Sequence, residues 1–191
     1  MAKNTVFLDM DGVIANWTEQ TSEKVLGIPY KEVPGYQESE FLAFVRNRTS
    51  MDKKAFKKAL WEKDDTEFWL GIKKFYWADA LIEMINENSY RWFFLTKPSQ
   101  SVGCYEGKAK WIKKHYPRFF NKLIIMPASK GICAKSSEDI LIDDRINNIN
   151  DWKEAGGSTF FWEEVSGDPF ISRETVEKRI SDLKNLIKPN I

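Results

Sequence analysis

Two aspartates stand two residues apart directly after the first apolar run of the chain. The run covers residues 6–8, and Asp9 and Asp11 follow it, with Gly12 behind them. A short apolar run that ends in Asp-x-Asp-Gly predicts a buried strand that stops in a tight turn. Two carboxylates this close repel each other unless a cation lies between them, and Mg²⁺ prefers oxygen ligands of this kind. The pattern therefore predicts metal-assisted chemistry at the end of this strand.

Further polar residues follow three later apolar runs. They are Thr96 with Lys97, then Lys130, and finally Asp143 with Asp144. The carboxyl ends of parallel strands lie at one edge of a sheet, where ligands bind in open α/β folds. We therefore expect these side chains to lie close to Asp9 and Asp11.

The chain alternates between strand and helix patterns from residue 77 onward. Apolar runs predict strands over 91–95, 122–126, 140–142 and 158–162. Amphipathic spacing predicts helices over 78–88, 107–115 and 148–155, and a charged carboxyl-terminal helix within 166–191. Strands that alternate with helices indicate an α/β fold with a doubly wound parallel sheet.

A mostly helical insert separates the first strand from the alternating pattern. It is rich in charged and aromatic residues, and its periodicity predicts helices over 13–26 and 51–63, the second capped by Asp52. We therefore predict a small helical cap over residues 14–76, inserted after the first strand of a core domain that comprises residues 1–13 and 77–191. Most aromatic residues of the insert are expected to form its own core, and one or two to line a pocket for a flat ligand.

The composition is that of one globular core with a small inserted subdomain. Of the 191 residues 42% are hydrophobic, which is enough to bury such a core. The net charge of +1 gives no electrostatic footprint for long nucleic acid. The sequence contains neither an apolar stretch of the roughly 20 residues that a membrane span needs nor a signal sequence. We therefore expect a cytoplasmic monomer or homodimer with a small-molecule substrate and no membrane or long nucleic acid as partner.

The polar residues predicted at the sheet edge are the groups that phosphoryl transfer requires. A carboxylate can attack phosphorus in line, a hydroxyl can donate to a phosphate oxygen, and a metal and a lysine can neutralise the transferred group. Their order resembles the four signatures of haloacid dehalogenase (HAD) superfamily phosphohydrolases, which match here as LDMDGV, FFLTKP, PASKG and ILIDDR. Within that superfamily the chain resembles 5′(3′)-deoxyribonucleotidases and their bacterial and phage relatives, through DMDGVIANW, LTKPS, GKAKWI and LIDDR.

The resemblance implies a covalent mechanism with Mg²⁺ as cofactor. Asp9 would be the nucleophile that forms an aspartyl-phosphate, and Asp11 would protonate the leaving alkoxide and then activate water. Mg²⁺ would bind the Asp9 carboxylate, the Asp11 carbonyl oxygen and one of Asp143 and Asp144. We favour Asp144 as the direct ligand and expect Asp143 to lie outside the direct ligands, where it supports them.

The resemblance also implies which residues hold the phosphate. Thr96 and Lys130 would bind its oxygens, with Lys135 as a competing candidate for the lysine. Lys108 would interact with the phosphate or with one of the acids from the second layer of residues around the site. Lys97 stands where these nucleotidases usually have a small hydroxyl residue, and it would contact phosphate through its backbone or point into the pocket.

Two aromatic residues are expected to stack on a nucleotide base, because these nucleotidases hold the base between aromatic rings. Trp17 occupies the position soon after the first aspartates, and Phe41 is the choice within the cap.

These residues predict a Mg²⁺-dependent phosphomonoesterase that acts on deoxyribonucleoside or ribonucleoside monophosphates. A phosphatase of polynucleotide ends, or of another small molecule, is the enzymatic alternative; the near-neutral charge and the cap argue against polynucleotides. A nucleotide-binding protein without turnover is the non-enzymatic alternative, and the presence of both Asp9 and Asp11 argues against it.

Overall fold

A computed structural model of the chain describes residues 5–34, 38–162 and 168–187 and contains one five-stranded parallel sheet. The strands are β1 (Thr5–Leu8), β2 (Arg91–Thr96), β3 (Leu123–Ile125), β4 (Asp139–Asp143) and β5 (Ser158–Phe161). Their order is β3-β2-β1-β4-β5, so β1 lies in the centre. The predicted doubly wound α/β fold is confirmed.

Helices fill the connections between these strands. The helices are α1 (Trp17–Lys24), α2 (Glu38–Thr49), α3 (Lys53–Glu62), α4 (Thr66–Leu70), α5 (Ala78–Asn88), α6 (Val102–His115), α7 (Ile146–Glu154) and α8 (Arg173–Ile187). Short 3₁₀ turns cover Tyr30–Glu32, Pro117–Lys122 and Lys130–Cys133. Within the described residues, no helix combines the length and the apolar character that crossing a bilayer requires.

The pairing register brings the carboxyl ends of the three central strands together. Leu8, the last residue of β1, pairs with Phe94 of β2 and with Ile142 of β4. The residues that follow these positions therefore leave the sheet at the same edge, as the sequence pattern predicts.

The two faces of the sheet pack on different helices, because successive strand residues point to opposite sides. Val6 and Leu8 are fully buried in the main core, together with apolar side chains of α5, α6 and α8. Phe7 points the other way and contacts Trp152 of α7, with the ring centroids 5.0 Å apart. The central strand is thus buried on both faces, which explains its continuous apolar run.

The insert contributes to two separate apolar clusters. Its own cluster consists of Val33, Phe41, Val45 and Phe56. Farther along the insert, Phe68, Trp69 and Ile72 belong to the main core instead. The segment from α4 onward, which the sequence pattern assigns to the cap, is therefore packed on the sheet domain.

Two glycines of α6 allow α4 to approach so closely. A Cβ atom on Gly107 would lie 2.4 Å from Cβ of Trp69, and one on Gly103 would lie 2.8 Å from Cα of Asp65. Neither distance is sterically possible, so a side chain at either position would push α4 away from α6.

Helix α1 begins later than the predicted helix over 13–26. The chain after β1 first forms a compact loop, in which the Met10 carbonyl accepts from the N–H of Ala15 at 2.9 Å. Gly12 has a φ of 76°, which favours glycine. Asn16 then caps α1 by accepting a hydrogen bond from a backbone N–H three residues on. The apolar residues 13–15 are buried in this loop. Buried apolar residues directly before α1 extend its apolar pattern in the sequence, so the predicted helix began too early.

The other predicted elements agree with the structure to within a few residues, except at the start of α6. The predicted helix over 78–88 coincides with α5, and Asp52 caps α3 as predicted, accepting from the N–H of Ala55 at 2.7 Å. Helix α8 lies inside the predicted carboxyl-terminal segment and packs on α5. Of that segment, residues 166–167 and 188–191 lie outside the described residues.

Candidate active site

A buried lysine joins the tips of β1 and β4. Lys130 Nζ lies 2.7 Å from Oδ1 of Asp9 and 2.6 Å from Oδ2 of Asp143. Burial by itself lowers the pKa of the Lys130 ammonium, but the two carboxylates outweigh it and raise that pKa above its ordinary value. Lys130 is therefore a fixed cation beside the Asp9 carboxylate. The competing candidate Lys135 is exposed and donates its backbone N–H to Asp139 at 2.9 Å.

Asp143 is held by donors on both of its carboxylate oxygens. Its Oδ1 accepts from the backbone N–H of Arg145 at 2.9 Å, and the Asn148 amide donates to both oxygens at 3.0 Å. Burial raises the pKa of Asp143, and the negative charge of Asp9 raises it further, while Lys130 opposes both effects. Sequence reasoning missed Asn148, whose position in the first turns of α7 gives no chemical signal by itself.

Three aspartates could hold a metal ion together. Asp9, Asp143 and Asp144 each offer one carboxylate oxygen, and these oxygens lie within 4.8 Å of one another. An all-oxygen donor set of this kind fits a hard divalent cation such as Mg²⁺. Because both oxygens of Asp143 already accept hydrogen bonds, the arrangement favours Asp9 and Asp144 as direct ligands.

A second buried lysine joins the turn after β1 to the end of β2. Lys108 Nζ donates to Oδ2 of Asp11 and, at 2.8 Å, to the hydroxyl of Thr96. Lys108 is fully buried, and its Nζ lies 4.6 Å from the ring centroid of Trp69. Lys108, predicted as a partner of phosphate or acid, is thus paired with the acid.

The surroundings of Asp11 favour its protonated form. Burial raises the pKa of Asp11, and the negative charge of Asp9 raises it further, while the positive charge of Lys108 lowers it. The net effect is a pKa above the ordinary carboxyl value. Among the described residues, Oδ1 of Asp11 has no hydrogen-bond partner. A carboxyl group whose pKa is raised holds its proton more readily and can donate it to a group that enters the site.

A cavity of about 590 Å³ opens in front of these residues. Its base includes Asp9, Asp11 and Asp144, and Lys97, exposed at the end of β2, lies on its wall with Arg145. The side chains that the insert contributes to the wall are Trp17, Thr18, Leu60, Asp64 and Trp69. The volume lies in the range of small-molecule sites, roughly 300–1,000 Å³.

Phe41, which was predicted to stack on a base, lies in the core of the insert. Phe41 is 2% exposed in the core of the insert, with its ring centroid 6.2 Å from that of Trp17 and 6.0 Å from that of Phe56. It does not line the cavity, so its prediction as a base-stacking residue needs correction. The two insert aromatic residues that line the cavity are Trp17, as predicted, and Trp69. The sequence gives no feature that separates Trp69 from the other tryptophans.

Comparison with solved structures shows a similar fold in a predicted phosphatase, a haloacid dehalogenase-like protein and a HAD family hydrolase. A predicted phosphatase from Clostridium acetobutylicum has a TM-score of 0.57 at 14% identity, covering 98% of this chain and 99% of that one. A haloacid dehalogenase-like protein of unknown function from Agrobacterium tumefaciens has a TM-score of 0.56 at 15% identity, covering 97% and 98%. A HAD family hydrolase from Deinococcus radiodurans, solved with bound phosphate and sodium, has a TM-score of 0.51 at 14% identity, covering 82% and 79%.

Comparison at the level of sequence gives no further match. No protein-family model matches the chain, and no curated protein is similar enough to count as a relative. The chain therefore has a HAD-like fold, and its function must be argued from the site.

Proposed function

We propose that the chain is a Mg²⁺-dependent phosphomonoesterase that dephosphorylates nucleoside monophosphates through an aspartyl-phosphate. One observation carries the proposal: the buried Asp9 carboxylate contacts Lys130, lies within 4.8 Å of oxygens of Asp143 and Asp144, and lines a cavity of about 590 Å³. The HAD-like fold supports a phosphatase, and the phosphate bound in the Deinococcus radiodurans structure supports an anionic substrate.

The first half of the reaction forms the covalent intermediate. The Asp9 carboxylate attacks phosphorus, a phosphorus–oxygen bond forms on Asp9, and the ester bond to the leaving group breaks. Asp11, whose pKa is raised, gives its proton to the departing oxygen. Lys130 and the Thr96 hydroxyl stabilise the phosphoryl oxygens during the transfer.

The second half of the reaction restores the enzyme. Asp11, now a carboxylate, takes a proton from a water molecule, and the resulting hydroxide attacks the phosphorus of the aspartyl-phosphate. The Asp9–phosphorus bond breaks, phosphate leaves and both carboxyl groups regain their starting states. When bound, Mg²⁺ supplies positive charge that offsets repulsion between the phosphoryl group and the carboxylates, and Asp9, the Asp11 carbonyl and Asp144 would hold it.

Two tryptophans support a flat leaving group such as a nucleoside. Trp17 and Trp69 both line the cavity. Stacking of a base on an indole ring stabilises binding by about 1–3 kcal/mol and requires only a π face. Residue types on the cavity wall therefore favour nucleosides as a class without selecting a base.

A substrate panel tests this proposal. Ribonucleoside and deoxyribonucleoside monophosphates are assayed with Mg²⁺, beside a 5′-phosphorylated oligonucleotide and an aryl phosphate, for the native chain and Asp9→Asn. We expect turnover of the monophosphates, little turnover of the oligonucleotide, and near-complete loss of activity in the variant. Turnover of the aryl phosphate alone would refute the nucleotide substrate, and undiminished activity of Asp9→Asn would refute the covalent mechanism.

A further inference from the structure

Asp64 is a carboxylate on the cavity wall that the proposed reaction does not use. Its Oδ1 accepts a hydrogen bond from the indole N–H of Trp69 at 2.5 Å. Its backbone carbonyl accepts from the Ser101 hydroxyl, also at 2.5 Å, and its backbone N–H donates to the carbonyl of Trp61 at 3.2 Å. Asp64 is therefore fixed by both its side chain and its main chain.

The anchoring of Asp64 ties it to the sheet domain as well as to the insert. Ser101 is the N-cap residue of α6, the helix that carries Lys108 in the site. Trp69 contacts both residues: its indole N–H donates to Asp64, and Lys108 Nζ lies 4.6 Å from its ring centroid. The carboxylate thus keeps a fixed position relative to the reaction centre, on the side of the cavity that the insert provides.

The Asp64 carboxylate differs from most of the acids at the reaction centre in its partners. Asp9 and Asp143 pair with Lys130, and Asp11 pairs with Lys108. None of the described lysines and arginines forms an ion pair with Asp64, which therefore adds an uncompensated negative charge to the wall.

We propose that Asp64 determines which leaving groups the cavity accepts. A carboxylate can only accept hydrogen bonds, so it binds leaving groups that present an N–H or O–H donor. It repels leaving groups that carry a second anion, because like charges brought together in a partly buried site cost free energy. The substrate class is therefore phosphomonoesters with an uncharged or cationic leaving group, an inference that rests on the proposed phosphatase activity and narrows it.

A matched pair of aryl esters tests this role. The phosphate esters of 4-hydroxybenzamide and 4-hydroxybenzoate have nearly the same shape, but the first leaving group has a neutral amide with N–H donors and the second a carboxylate. The measured quantity is the ratio of kcat/KM for the amide ester to kcat/KM for the carboxylate ester, at low ionic strength with Mg²⁺. The native chain is compared with Asp64→Asn, in which the amide oxygen can still accept from Trp69. Glu67→Gln is the control, because it removes the same charge from an exposed position on α4.

The proposal predicts a ratio of roughly tenfold in favour of the amide ester for the native chain. This preference falls to about one- to threefold in Asp64→Asn, stays unchanged in Glu67→Gln, and shrinks at high salt because screening weakens repulsion between charges. An unchanged ratio in Asp64→Asn, or an equal fall in both variants, overturns the role of Asp64 and leaves the phosphatase activity standing. If the native chain with Mg²⁺ hydrolyses neither ester nor any nucleotide, the proposed function fails and this inference fails with it.

Discussion

The side chains with the largest consequences at this site are two lysines that do not contact solvent. Lys108 and Lys130 are 0% and 1% exposed, and each is paired with carboxylates from another element. A buried ammonium is tolerated only when such partners offset its lost hydration. These lysines therefore fix the two aspartates that the proposed reaction uses.

Replacing Lys108 tests this dependence. In Lys108→Met the Asp11 side chain and the Thr96 hydroxyl lose the ammonium that donates to them, and the free energy of unfolding should fall by about 2–4 kcal/mol, since removing one partner of a buried pair leaves the other groups without their hydrogen bonds. Urea denaturation measures this change. Lys110→Met is the control, because Lys110 pairs with Glu106 at an exposed position on the same helix and its loss should have no measurable effect. Equal destabilisation by both substitutions would contradict the pairing.

The two acids after β4 are expected to behave differently. Asp144→Asn should raise the Mg²⁺ concentration for half-maximal activity by at least about tenfold, because it removes a direct ligand. Asp143→Asn should instead lower stability more strongly, because Lys130 then loses one of its two carboxylate partners. Magnesium titrations of activity and urea denaturation of both variants measure these effects. The assignment is wrong if Asp143→Asn changes the magnesium requirement more than Asp144→Asn.

The docking of α4 on α6 is the feature that brings the insert to the site. Trp69 and Asp64, at and just before α4, line the cavity, and α4 packs against Gly103 and Gly107 through Trp69 and the backbone at its first turn. A five-residue helix has too few hydrogen bonds to be stable alone, so its position depends on this contact.

Adding one methyl group at this contact tests its importance. In Gly107→Ala the new Cβ would lie 2.4 Å from Trp69 Cβ and 2.8 Å from the Thr66 carbonyl oxygen. We expect stability to fall by about 1–3 kcal/mol through overpacking, although alanine by itself favours a helix by about 1 kcal/mol over glycine. Lys113→Ala, exposed on the same helix, serves as the control in thermal denaturation. A gain in stability for Gly107→Ala would contradict this prediction, because it would mean that α4 can move away from the added methyl group at little cost in free energy.

Sequence patterns predicted these elements unevenly, for physical reasons. The strands and α5 have clear apolar periodicity, and the residues after the strands were correctly expected at one edge because parallel topology requires it. Asn148, Trp69 and Asp64 were missed because their roles depend on contacts between distant segments. Phe41 was misassigned because an aromatic residue of a core and one of a cavity wall look alike in a sequence.

At the scale of the whole molecule, one imidazole contributes to the pH dependence of the free energy of unfolding. His115 is the single histidine of the chain. Burial lowers its pKa, and the positive charges of Lys114 and Lys74 lower it further, while Asp79 opposes them. Because the unfolded chain then binds the proton more tightly, His115 contributes stability that is present above its ordinary pKa of about 6.5 and is lost as pH falls through the lowered value.

Nuclear magnetic resonance can follow this single imidazole directly. We expect a midpoint below the ordinary histidine value in the folded chain. Urea denaturation of the native chain and His115→Gln, at pH values on either side of that range, should show that the native chain loses more stability on acidification. A folded-state midpoint above the ordinary value, or an equal loss in both chains, would contradict this assignment.

The most direct measurement is the capture of a phosphoryl group on Asp9. The native chain is mixed with a turned-over monoester and Mg²⁺, quenched in acid within one turnover, digested and analysed by mass spectrometry. We predict a phosphorylated peptide that contains Asp9 and no such peptide from Asp9→Asn. Turnover of the ester without any phosphorylated Asp9 peptide would contradict the covalent mechanism.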